Sequence, residues 1–350
     1  MLRFRLRSLP VIALLALPAW AAGPSVSSAQ SPLLPVADIP LPGAAVRFDY
    51  QSFDPTTGRL YIAHMNDDHL VVFDVHTRQV MANLPGFARV HGVLAVPASG
   101  RVYASATGDH ALVALDSHSL RILGHAAPIE YPDGVAYAPA QHKVFVSDEH
   151  GGTDAVVDED ATRILASIPL GGGAGNTVYD PTTGHILVAV HHLNQLVSID
   201  PATQSILTRA ALPGIEDPHG IAVDAGDGLA FVAGEGNHSL TVVRLRDLQV
   251  LGAPLAVGDD PDVLAFDPGL RLLYVSAESG LVTVFHLVGN TLTPVGSLAM
   301  PHAHTVAVDP ATHLVYFPLQ DVNGHPILRI LRPTQSRQYS GFRSQYLGVG

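Results

Sequence analysis

The chain contains no cysteine in its 350 residues. A disulfide scaffold, a thiolate metal site and a cysteine nucleophile are therefore excluded together. Lysine is nearly absent too: Lys143 is the single copy, so Schiff-base chemistry has one candidate. Tryptophan occurs once, at Trp20. Charged residues make up only 14% of the chain, with 31 acids against 19 Lys and Arg and a formal net charge of -12. Nucleic acid is a poor partner for such a surface, because phosphate binding requires clustered cations. There is no HExxH pair and no G-x-S-x-G elbow. The glycine run at 171–175 is not followed by Lys-Ser/Thr or by a helical pattern, so it reads as a turn between repeats and not as a phosphate loop. What is abundant is apolar material. Hydrophobic residues are 47% of the chain, ample for a large core and incompatible with wholesale disorder.

Residues 1–21 read as a secretory signal peptide. Arg3, Arg5 and Arg7 form a positive start, Leu9 to Leu17 is apolar, and Ala19-Trp20-Ala21 fits a small-x-small cleavage pattern. The apolar stretch is too short to span a bilayer alone. Cleavage after Ala21 removes three Arg and leaves 16 Lys and Arg against 31 acids, a net charge of -15, with no tryptophan. A leader at 22–32, rich in Ser, Pro and Ala, follows. The expected location is the periplasm or the medium, with no membrane-spanning segment after cleavage.

A chain of this length normally divides into two domains unless it grows by repetition, and repetition is present. One phrase recurs: FDPTTGRLYIA, AVPASGRVYAS, YAPAQHKVFVS, YDPTTGHILVA, VDAGDGLAFVA, FDPGLRLLYVS and VDPATHLVYFP. The position of its Asp falls at 54, 96, 138, 180, 224, 267 and 309, with spacings of 42, 42, 42, 44, 43 and 42. Short alternating apolar segments between Gly, Pro, Asp and Asn are strands joined by tight turns. Four strands per unit of this length, seven times over, predict an all-β, seven-bladed β-propeller spanning 33–333 as one domain. A tail at 334–350 follows. The seventh unit lacks a fourth strand of its own. Leu33 to Leu41 matches the fourth-strand phrase at Arg163 to Leu170, so the N-terminal strand is expected to complete the last blade and remove two open sheet edges.

LLYVSAES at 272–279, RLYIAH at 59–64 and DPHGIAVD at 217–224 resemble the YVTN repeat of exported bacterial β-propellers. The resemblance covers nearly all of 33–333. It implies the propeller fold and export. It implies no single function, because similar propellers include enzymes, ligand-binding proteins and surface-layer-like proteins.

Repeat phase turns sequence into geometry. The first strand of each blade lines the channel, and its first residue lies five positions before the Asp of the phrase. Those residues are Asp49, His91, Asp133, Gly175, His219, Asp262 and His304, with Asn176 the candidate in the fourth blade. The next strand returns to the same face at Met65, Thr107, Glu149, His191, Glu235, Glu278 and Gln320. His91, His219 and His304 sit at angular separations of roughly 154°, 103° and 103° around a sevenfold ring. Three imidazoles converging so, with a fourth position for water, would suit a catalytic zinc ion. Asp49, Asp133, Asp262, Asn176 and His191 are then ligand-binding candidates. The Asp residues would orient the imidazoles or bind a hard cation such as Ca²⁺. Glu149, Glu235 and Glu278 are candidate general bases. The plainer alternative is architectural, with each Asp or His at a strand end bonding the backbone of a neighbouring blade.

Two functions remain open on these residues. One is an exported propeller binding a small ligand, a divalent metal ion or a protein partner at its polar face. The other is a metal-dependent hydrolase or lyase, lactonase-like, with the three-His channel site at its centre.

Overall fold

The computed structural model describes residues 31–334. The expected signal peptide, and nearly all of the expected leader and tail, lie outside the described residues. Within them the chain forms seven four-stranded antiparallel sheets, a seven-bladed β-propeller. In the second blade the strands run Val90–Val96, Arg101–Ala106, Ala111–Asp116 and Ile122–Ala126 from the channel outwards. The first strands of adjacent blades touch one another all round, and the ring closes where Ala307–Asp309 meets Gln51–Asp54. No helix among the described residues is long and apolar enough to cross a membrane.

Burial explains why the repeat reads as it does. Second and third strands are covered on both faces by neighbouring blades, so they are apolar without alternation. Leu229–Gly234 is buried at every residue. Fourth strands form the outer rim and keep the polar alternation of a half-exposed strand, as in Ser205–Ala211. The recurring Asp of the phrase is a turn device. Asp54 Oδ1 accepts the backbone N–H of Thr56 at 2.8 Å, and Asp180 and Asp309 accept equivalent bonds from Thr182 and Ala311. A carboxylate that satisfies turn amides this way holds the tight turn between first and second strands.

Two glycines are required by close approach. A Cβ at Gly92 would lie 2.0 Å from the Asp133 carbonyl oxygen, and one at Gly220 1.9 Å from that of Asp262. Each follows a channel residue, at the point where first strands of neighbouring blades come nearest. Substitution by Ala there forces two blades apart.

The last blade is closed by the N-terminal strand, as expected. Leu33–Pro40 pairs antiparallel with His325–Pro333, from Leu33 opposite Pro333 to Pro40 opposite Ile327. The clasp is extended by Thr334 N–H donating to Pro32 O at 3.0 Å and Leu41 N–H to Pro326 O at 3.0 Å. Leu33 and Leu41 are buried in the core clusters they join.

Candidate functional site

The first strands deliver their leading side chains into the channel at one face of the ring. Phase alone places them there: Asp49, His91, Asp133, His219, Asp262 and His304 are all buried and polar. The second strands return to that face and add His191, Glu149, Glu235 and Glu278. Together with Arg47, Tyr50, Tyr131 and Asp260, most of these line a cavity of about 200 Å³. Asn176 does not line it; its Oδ1 packs at the seam between blades 3 and 4, where a Cβ on Gly134 would come within 2.5 Å.

The three channel histidines reach the face but do not share a ligand position. His304 Nε2 lies 2.7 Å from Asp262 Oδ2 and 3.4 Å from Asp49 Oδ1. His219 Nε2 lies 3.3 Å from Asp262 Oδ1 and 3.1 Å from the Tyr50 hydroxyl. His91 Nε2 faces the Tyr131 hydroxyl at 3.2 Å, while its Nδ1 bonds Arg89 O at 2.7 Å. The His91 contact is to backbone, but to Arg89 two residues earlier and not to a neighbouring blade as the architectural alternative expected. The other two both approach the carboxylate of Asp262, which stands in the blade between theirs.

Metal-ligating atoms converge in two other groups: His191, His219 and Glu235, and Asp49, Asp262 and His304. In the first, His191 Nε2 is 3.0 Å from His219 Nδ1, and Glu235 Oε1 is 3.4 Å from the same nitrogen. The second already contains a cation. Arg47 Nη2 lies 3.0 Å from His304 Nε2 and 2.9 Å from Glu278 Oε1. Arg47 and His304 approach so closely only because Asp49, Asp262 and Glu278 surround them.

Burial and neighbouring charge set the protonation of the site. Burial pulls the His219 imidazole down, but Glu235, Asp262 and Asp133 outweigh it and raise it to about 9. His304 is likewise opposed by burial and raised to about 10, chiefly by Asp262. Burial pushes Asp262 up, yet His304 and His219 hold it far below the usual carboxylate range. Asp133 is pushed well above that range by burial, and burial lifts Glu235 to about 7. Burial and the charge of His219 lower His191 to about 4. The charged His219 therefore donates to a neutral His191.

These raised groups make stability fall as pH rises. A group whose pKa rises on folding contributes fully below its unfolded value and loses that contribution as pH passes its folded value. For His219 and His304 the window runs from the ordinary 6.5 up to about 9 and about 10. Glu235 acts with the same sign between 4.5 and about 7. Melting followed by circular dichroism is expected to show a midpoint falling by about 5–10 °C between about pH 6 and about pH 10. In His304→Gln the slope should be visibly shallower; a flat profile in the parent protein would contradict these assignments.

The adjacent pairs lie in the turns just after the second strands, and each divides between the channel and the outside. His191 turns inward and is buried, while His192 is exposed and pairs with Asp217 at 2.8 Å. Glu149 lines the cavity, and His150 covers Tyr131 at the mouth with ring centroids 4.0 Å apart. Sequence reasoning missed Arg47, Tyr50, Tyr131 and Asp260. A signal existed for Tyr50: it occupies the place where blades 2, 3 and 5 carry Gly92, Gly134 and Gly220. From there its ring reaches across to His219 in blade 5. Arg47, Tyr131 and Asp260 share a position two residues before the channel residue, which varies freely among blades.

No protein-family model matches the chain, and no curated protein matches it in sequence. Solved structures do resemble it. Hydrazine synthase of Kuenenia stuttgartiensis superposes with a TM-score of 0.70 at 13% identity, covering 84% of this chain and 99% of that one. Virginiamycin B lyase from Staphylococcus aureus gives 0.70 at 11% identity, with 84% and 98% covered. At such identities the likeness concerns the propeller fold alone.

Proposed function

We propose that this is an exported β-propeller that binds a small ligand together with one divalent cation at the polar mouth of its channel. The observation that carries this reading is the convergence of His191 Nε2, His219 Nδ1 and a Glu235 oxygen on one point beside the cavity. Two imidazoles and a carboxylate suit zinc better than calcium, which prefers an all-oxygen shell. The Asp49, Asp262 and His304 group is the poorer seat, because Arg47 already neutralises it. Export rests on the signal-like N-terminus, and the periplasm or the medium is the expected place of action.

Metal analysis of protein purified without chelators tests the cation. About one equivalent is expected, falling to background in His191→Ala and in Glu235→Gln. Absence of metal from the parent protein, or its retention in both variants, would overturn the assignment.

A second reading adds chemistry: a metal-assisted hydrolase or lyase. It is favoured by the three-ligand composition of the seat, since a zinc ion held by His191, His219 and Glu235 would have room for water or substrate as a further ligand. A lyase occurs among proteins of this architecture, which supports the reading without carrying it. Here the His219 Nε2 edge and the Tyr50 hydroxyl bonded to it at 3.1 Å would orient the bound molecule as a pair, since both residues line the cavity.

A further inference from the structure

The cation seat leaves part of the cavity unexplained. Glu149 belongs to neither metal-ligating group, and among the described residues no hydrogen bond or ion pair reaches its carboxylate. Asp133 lines the same wall. It is 3% exposed, yet its Oδ2 accepts no hydrogen bond, and the His219 imidazole is 3.7 Å away. Burial holds this carboxyl above its ordinary range, and a cationic N–H donor placed beside it would favour the ionised form and bond the oxygen that lacks a donor. The Tyr131 ring, half-buried, lines the same cavity. Arg47, the one guanidinium at the cavity, is committed to Glu278 on the opposite side.

An aromatic wall beside unspent carboxylates has a definite chemical complement. A small metal ion gains little from an aromatic ring. An anion is repelled by the acids. An organic ammonium uses both, its N–H groups donating to carboxylates and its body lying on the ring. We propose that the blade 3 side of the channel mouth receives the ammonium group of a small organic amine, held by Glu149 and Asp133 against Tyr131. This names a ligand class for the cavity and rests on the reading that the cavity binds a small ligand. A cavity of about 200 Å³ takes the ammonium and the first atoms of its body; the rest lies over Tyr131 and His150.

Titration calorimetry of the chelator-treated chain with benzylamine, benzyl alcohol and benzoate tests this, because the three probes share size and differ in charge. Benzylamine is expected to bind at least about tenfold more tightly than either of the others. Glu149→Gln should weaken benzylamine about tenfold, and Tyr131→Leu about three- to tenfold. His192→Ala, outside the cavity, should leave it unchanged. Equal binding of benzoate or benzyl alcohol overturns the proposal, as does no detectable benzylamine binding. An unaltered affinity in a folded Glu149→Gln protein overturns it too. Because the titration is run without metal, selectivity for benzylamine alongside a negative metal analysis would remove the cation reading and leave this one standing.

Discussion

A chain lacking residues 31–41 is expected to lose cooperative unfolding altogether, or to melt at least about 10 °C below the parent protein. The deleted strand supplies the whole outer edge of the last blade, paired with His325–Pro333 along its length. Without it, that strand presents an unpaired edge and the ring becomes an open array, prone to edge-to-edge association. Leu33 and Leu41 also leave two core clusters. The ion pair on the same strand is a useful contrast. Arg329 Nη2 meets Asp38 Oδ2 at 2.6 Å, but the side chains are 30% and 43% exposed. Asp38→Ala should therefore cost no more than about 1 kcal/mol. Both melts can be run side by side; a deletion as mild as the point variant would show that the clasp contributes little.

Asp262→Ala is expected to be the most damaging single substitution at the channel, on the order of 3–5 kcal/mol and about 6–15 °C in melting temperature. Asp262 bridges His304 at 2.7 Å and His219 at 3.3 Å. Both imidazoles are raised by it, so its loss leaves two buried cations with fewer counter-charges. Removing one partner of a buried charge network costs more than the network itself is worth, because the remaining charge is stranded. The double variant Asp262→Ala with His304→Gln should recover part of the loss, and a double-mutant cycle on chemical unfolding measures how much. Additive losses would mean the two side chains are not coupled in solution.

The propeller was legible because it is written seven times. A phrase repeated at spacings of 42 to 44 residues reveals blades, turns and inner strands, since each feature is local and recurs. The closing strand was legible for the same reason: residues 33–41 carry a fourth-strand phrase out of place. Repeat phase even placed the polar side chains at the channel face, because position along a strand decides which end of it a residue occupies. It did not determine which of them meet. His91, His219 and His304 were expected to converge and instead each turns to a neighbouring carboxylate or phenol.

Sequence by itself determined the fold, its closure and the ring of Asp and His, all consequences of periodicity and strand alternation. Only the tertiary structure decided that Tyr50 crosses to His219, that Arg47 neutralises the Asp49, Asp262 and His304 group, and that His191 joins His219 and Glu235. The first two contacts link blades far apart in the chain and the third joins blades 4 and 5, and their geometry follows from how buried charges and rings balance one another at the channel. No local pattern encodes that balance, which exists only once the ring has closed.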